Sequence, residues 1–175
     1  MRWPRKWRGA GEMGDLFMQS SAVLSPCGLY RYRLDRQWAD GPRCCFVMLN
    51  PSTADASNDD PTIRRCIGFA KREGCGGLTV VNLFAFRATK PTALLSATDP
   101  VGPDVDRHID AVLRETDGPV IAAWGAWNKG TRAKIVRAMM GDRAKCLGHT
   151  KDGSPRHPLY LRTDAPLIDF AGETP

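Results

Sequence analysis

The sequence predicts an α/β protein, a three-layer α/β/α sandwich around a central, mostly parallel sheet. Three observations carry that expectation. The runs CFVML (45–49) and VIAAW (120–124) are continuously apolar, LTVVNLF (78–84) is interrupted only by Thr79 and Asn82, and all three are of strand length, as strands buried on both faces are. Segments with apolar residues at helical spacing alternate with them. The chain has 175 residues, 42% apolar and 25% charged, which suits one domain with a sizeable core and excludes a disordered or collagen-like chain.

The elements follow in order. Residues 1–20 form a basic arm in which Arg2, Arg5, Lys6 and Arg8 interleave with Trp3 and Trp7 without strand or helix periodicity. Such an arm follows a phosphate backbone and stacks on bases, or is simply a disordered tail. A single domain is expected over 21–164. Gly28–Trp38 alternates Leu29, Arg31, Arg33 and Asp35 with Tyr30, Tyr32 and Leu34, the signature of an exposed or edge strand. The run at 45–49 ends on Asn50-Pro51. Asp60 then suits an N-cap and Pro61 a first helical turn, with Ile63, Cys66, Ile67 and Ala70 on one face before Gly74.

After the strand at 78–84, a Pro-bearing loop leads to a helix whose Val105, Ile109, Val112 and Leu113 share a face. The strand at 120–124 is followed by a helix over 131–140 with Ala133, Val136 and Met140 inward, and 145–147 opens a fourth strand. Residues 165–175 read as a loose tail.

Charge and cysteine usage bound the partners. A net charge of +6 favours an anionic partner, nucleic acid first. Six cysteines without a C-x-x-C pair fit free, mostly buried thiols rather than disulfides or a zinc site. No apolar run approaches the ~20 residues of a membrane span, and the first residues lack the apolar stretch of a secretory signal. A cytoplasmic monomer without cofactor or metal is expected.

In parallel sheets, ligands bind beyond the carboxyl ends of the strands. Reading each strand to its end gives Asn50-Pro51-Ser52, then Asn82 and Arg87, then Trp124-Gly125, with His157-Pro158-Leu159-Tyr160 downstream. Each has two readings. Asn82 offers a donor and an acceptor suited to a base edge and Asn50 can hold a water, or both merely tie loops to backbone. His157, stiffened by Pro158, is a catalytic donor or a surface turn. His149 and His108 have weaker claims. Asp55, Asp59 and Asp60 read as a solvated loop and a helix cap rather than a metal site, and GAWNKGT (125–131) lacks the residue order of a phosphate loop.

The order of these segments resembles the uracil-DNA glycosylase superfamily. Met48-Leu49-Asn50-Pro51-Ser52 is similar to its G-x-N-P-G turn, and Val80-Val81-Asn82 running to Arg87 is similar to the strand ending in a base-reading asparagine. Ile121–Trp127 with Lys129 resembles L-W-G-x-x-A-x-x-K, and His157–Leu161 resembles H-P-S-P-L. A closer resemblance, through LNPSTAD, DDPTIRRC, VVNLFAFRAT, AWG and GSPRHPLYL, is to the DUF1643 family of bacterial and phage proteins; it supplies no activity.

The glycosylase resemblance implies a DNA glycosylase-like hydrolase acting on the N-glycosidic bond of a damaged or modified base, with single- or double-stranded DNA as partner. Asn50 would position water and His157 would donate to the departing base. Asn82 would read the base, Phe69 (or Phe46) would stack on it, and Ser52, replacing a bulky tyrosine, would leave space beside its 5-position. Arg87 and Lys129 would contact DNA, and Leu159 or Tyr160 would fill the gap in the duplex. The final H-P-L-Y lacks the usual serine and second proline, which bears on uracil specificity. The alternatives are a non-hydrolytic protein binding nucleic acid or a modified nucleotide in the same pocket, and metal-assisted chemistry through Asp55, Asp59 or Asp60.

Overall fold

Alternate residues of the buried strands feed two separate cores. Phe46, Val80 and Ile121 pack on one side of the sheet with Ile63, Cys66 and Ala70, whereas Val47, Val81 and Ala122 pack on the other with Ile109, Val112, Ala133 and Val136. This is the period-two geometry of a strand covered by helices on both faces. The computed structural model describes residues 18–127 and 130–171. The basic residues of the arm and the end of the tail lie outside the described residues.

The chain runs β1 (Gln19–Leu24), β2 (Arg31–Gln37), β3 (Arg43–Met48), α1 (Pro61–Arg72), β4 (Gly77–Asn82), α2 (Val105–Glu115), β5 (Val120–Ala122), α3 (Gly130–Met140), β6 (Ala144–Cys146) and β7 (Ile168–Asp169). They build one seven-stranded sheet in the order β1-β2-β4-β3-β5-β6-β7. Helix α1 covers one face, and α2 and α3 cover the other.

The expectation of a mostly parallel sheet holds for its centre and fails at its margins. The pairs β4–β3, β3–β5 and β5–β6 are parallel, and β1–β2, β2–β4 and β6–β7 are antiparallel. Parallel neighbours need long crossovers, which α1, α2 and α3 supply, whereas the short connection between β1 and β2 permits an antiparallel hairpin. Strand β2 is accordingly not an edge, because it pairs on both sides.

The expected loose tail is part of the fold. Ile168–Asp169 joins β6, and Phe170 is buried edge-on against Trp124 at 5.6 Å. The start and stop of α1 were legible. Asp60 Oδ1 accepts from the Ile63 N–H at 2.9 Å, and Gly74 follows α1 with φ of 77°, the left-handed conformation glycine tolerates.

Candidate functional site

Strands β3, β4 and β5 end at a common rim, and the chain beyond each end is tied to its neighbour. Leu83 N–H donates to Met48 O at 2.8 Å, Phe84 N–H to Leu49 O at 2.9 Å and Ala123 N–H to Val47 O at 2.8 Å, prolonging the ladder past the strands. Gly125 N–H donates to Pro155 O at 2.9 Å, which docks the downstream segment on the turn after β5. A cavity of about 760 Å³ opens there.

The cavity brings together Asn50, Ser52, Asn82, His157, Leu159 and Tyr160. Trp124, Gly125 and Trp127 complete one side, and Pro61, Thr62 and Ile63 at the start of α1 complete another. The size falls within the ~300–1,000 Å³ of sites for whole small molecules.

The Asn50 amide nitrogen donates to Ala88 O at 2.8 Å and to Pro51 O at 3.0 Å. Both of its hydrogens are thereby used on loops, and Oδ1 remains as an acceptor without a partner among the described residues. Asn82, 2% exposed at the end of β4, has its Oδ1 3.5 Å from Arg31 Nη2. Its amide nitrogen, a donor, makes no hydrogen bond among the described residues.

His157 Nδ1 accepts from the Leu159 N–H at 3.3 Å, so the neutral ring carries its proton on Nε2. Burial holds the imidazole below its ordinary pKa of 6.5, opposed by the Asp60 carboxylate. At neutral pH the ring is an uncharged donor. Next to it Leu159 is 37% and Tyr160 78% exposed at the cavity mouth.

Three expected contacts are placed elsewhere. Phe69 lies in the core beneath α1, away from the cavity, with Arg72 over its ring at 5.0 Å and Arg65 at 5.4 Å. Phe46 is fully buried within the sheet. Helical spacing puts Phe69 near the buried Cys66 and Ala70, so its apolar surface is spent on the core; the aromatic surfaces at the cavity are those of Trp124, Trp127 and Tyr160. Arg87 is turned back, donating from Nη1 to Gly28 O at 3.2 Å, and does not border the cavity. Lys129 lies outside the described residues.

In the acidic loop Asp60 is the helix cap the sequence suggested, whereas Asp59 is not a solvated loop residue. Asp60 caps α1, Asp55 accepts from the Ser57 and Asn58 N–H groups, and Asp59 pairs with buried Arg36 at 2.8 Å. Among the described residues no group of three or more His, Cys, Asp or Glu is placed to hold a metal ion. The described cysteines are free, and all but Cys27 are buried.

Arg31 is the cavity residue the sequence concealed. Strict alternation puts it on the face of Arg33, which reaches Glu115 of α2 at 2.6 Å. The register between β1 and β2, however, slips from Val23↔Arg33 to Leu24↔Arg31, leaving Tyr32 as an extra residue. This bulge reverses the phase of the strand. Tyr32 stacks on His108 at 4.8 Å on the α2 side, and Arg31 turns to the opposite side, donating to Ala54 O at 2.6 Å. Arg156, exposed on the rim, is a second cation bordering the cavity.

The family profile described as "Protein of unknown function (DUF1643)" matches residues 31–159, from the arginine beside the bulge to the leucine at the cavity mouth. The chain belongs to the DUF1643 family. No curated protein and no solved structure matches it. Within this DUF1643 chain the matched span contains Asn50, Asn82, Arg31 and His157, and among the described residues no helix is long and apolar enough to cross a membrane.

Proposed function

We propose that this DUF1643 protein hydrolyses the N-glycosidic bond of a damaged or modified nucleobase in DNA, on a fold of the uracil-DNA glycosylase kind. The observation that carries the reading is the convergence of Asn50, Asn82 and His157, spread over more than a hundred residues of sequence, on one cavity at the strand ends. The four motif likenesses supply the reaction class.

The chemistry asks little of a nucleophile. As the C1′–N bond breaks, its electron pair stays on the base, positive charge grows on the sugar, and water forms the new C1′–O bond and loses a proton to solvent. Catalysis then consists of stabilising both charges. Asn50 Oδ1, held by an amide nitrogen anchored on two carbonyls, accepts a hydrogen from that water and aims its oxygen. Neutral His157 donates from Nε2 to an oxygen of the departing base. Asn82, with Oδ1 facing Arg31, presents its N–H groups to a keto oxygen of the base. Leu159 and Tyr160 fill the space left in the duplex, which offsets the few kcal/mol of lost stacking.

A second reading, nucleotide or DNA binding without hydrolysis, is favoured by one observation. Both Asn50 amide hydrogens bond backbone carbonyls, as in a purely loop-fixing residue. The two are separated by mass spectrometry of free base released from single- and double-stranded oligonucleotides carrying uracil, hypoxanthine, alkylated bases and modified pyrimidines. Release of one base with the strand intact is the expected result. Tight DNA binding with no base released from any substrate would establish the second reading.

A further inference from the structure

Arg31, Arg36 and Arg132 are the arginines buried among the described residues. Arg36 has Asp59 at 2.8 Å, and Arg132 has Asp106 at 2.5 Å. Arg31, 2% exposed, has no carboxylate within 4.0 Å among the described residues. Its bonds go to two neutral oxygens, Ala54 O at 2.6 Å and Asn82 Oδ1 at 3.5 Å, and its Nε–H is sealed from solvent without an acceptor among the described residues. Burial draws the guanidinium down to about 10, with the Asp60 carboxylate pulling upward, so it is charged at neutral pH. Removing a charge from water without a directly paired carboxylate is costly, and here the group, which Asp60 and Asp55 reach only through space, borders a cavity.

We propose that Arg31 is the counter-charge of the natural ligand: the cavity takes a keto-faced pyrimidine that also carries an anionic oxygen group, a carboxylate on the ring or a phosphate on the sugar. The inference rests on reading the cavity as a nucleobase site. Its other walls agree. The groups assigned to the base, the Asn82 amide nitrogen and His157 Nε2, are donors and match acceptor oxygens, while the unpartnered acceptor Asn50 Oδ1 is the group assigned to the water. The charged neighbours are Arg156 at the rim and Asp60, whose Oδ1 is already taken by the Ile63 N–H at the start of α1. With the imidazole neutral, the wall carries a net positive charge. The small Ser52 and the cavity volume leave room for a substituent beyond a bare ring. An arginine presents paired N–H groups to a planar anion and so prefers carboxylate or phosphate to a neutral acceptor.

The test is calorimetric binding of free 5-carboxyuracil against its neutral isostere 5-carbamoyluracil, and of uridine 5′-monophosphate against uridine, at low salt. The free bases have no glycosidic bond, so their binding is independent of whether the protein is a hydrolase. We expect one anion to bind about tenfold or more tightly than its neutral partner. The favoured pair tells a ring carboxylate from a sugar phosphate. In Arg31→Gln the preference should fall to within about threefold, and Arg31→Lys should restore part of it. Equal binding within both pairs, no binding of either anion at millimolar concentration, or an undiminished preference in folded Arg31→Gln would overturn the proposal. Should Arg31→Gln fail to fold, the Arg31 Nε–H resonance of the wild-type protein decides. A shift on adding the anion but not its neutral partner supports the assignment, and no shift contradicts it.

Discussion

His157 joins two facts that bear on each other: its Nδ1 is fixed as an acceptor, and burial disfavours its charged form. Because the folded state holds the pKa down, the unfolded chain takes up the proton first. The contribution of this residue to stability is therefore present above about 6.5 and lost as pH falls through the folded value. NMR titration should find the His157 pKa below 6.5. Asp60→Asn should lower it further, since the carboxylate is what favours the imidazolium. A value at or above 6.5, or an upward move in Asp60→Asn, would remove the argument for a neutral donor. Asn82 belongs at the same scale. With its amide nitrogen as the group left for the ligand, Asn82→Ala should chiefly change which base is accepted, because a buried partner left unpaired separates close analogues strongly. Competition binding with uracil and cytosine would measure that change.

The N-terminal end of α1 is both a structural start and a wall of the site, so its cap can be tested apart from its charge. Asp60→Ala should cost about 1 kcal/mol in urea unfolding, and Asp60→Asn, which can still accept from Ile63 N–H, only a fraction of that. At the other end of the chain, Phe170→Ala should cost roughly 3–5 kcal/mol, because the ring is buried against Trp124. That second expectation marks where the sequence was opaque. A two-residue strand such as β7 is too short to show a period, and one buried phenylalanine in a short tail does not announce its contacts. The central strands were legible for the opposite reason: burial on both faces writes a largely apolar run, and the first stops at Asn50 while the second carries Asn82 at the end of its strand. Arg31 was hidden by the bulge at Tyr32, which reverses the facing of a strand whose alternation otherwise reads correctly from Arg33 onward. Phe69, or Phe46 in its place, was offered for stacking on the glycosylase resemblance alone, and neither lines the cavity, because the surface of each is taken up by the core.

For the whole molecule, the four basic residues of the first eight contribute much of the net charge of +6, and Arg156 adds a cation at the cavity mouth. If DNA is the partner, binding measured by fluorescence anisotropy should weaken steeply and linearly in log[salt], with a shallower slope once residues 1–17 are removed. The proposed reaction asks less of the molecule: three side chains delivered by the strand ends and the segment after β6 would act together in one cavity. Single-turnover kinetics of base release tests it most directly, because chemistry is then seen apart from product release. On the base identified by the release screen, His157→Ala and Asn50→Ala should each lose ~100–1,000-fold in rate while DNA affinity is retained, the loss expected for removing a group that acts in the transition state. Wild-type cleavage rates in both folded variants would contradict the account.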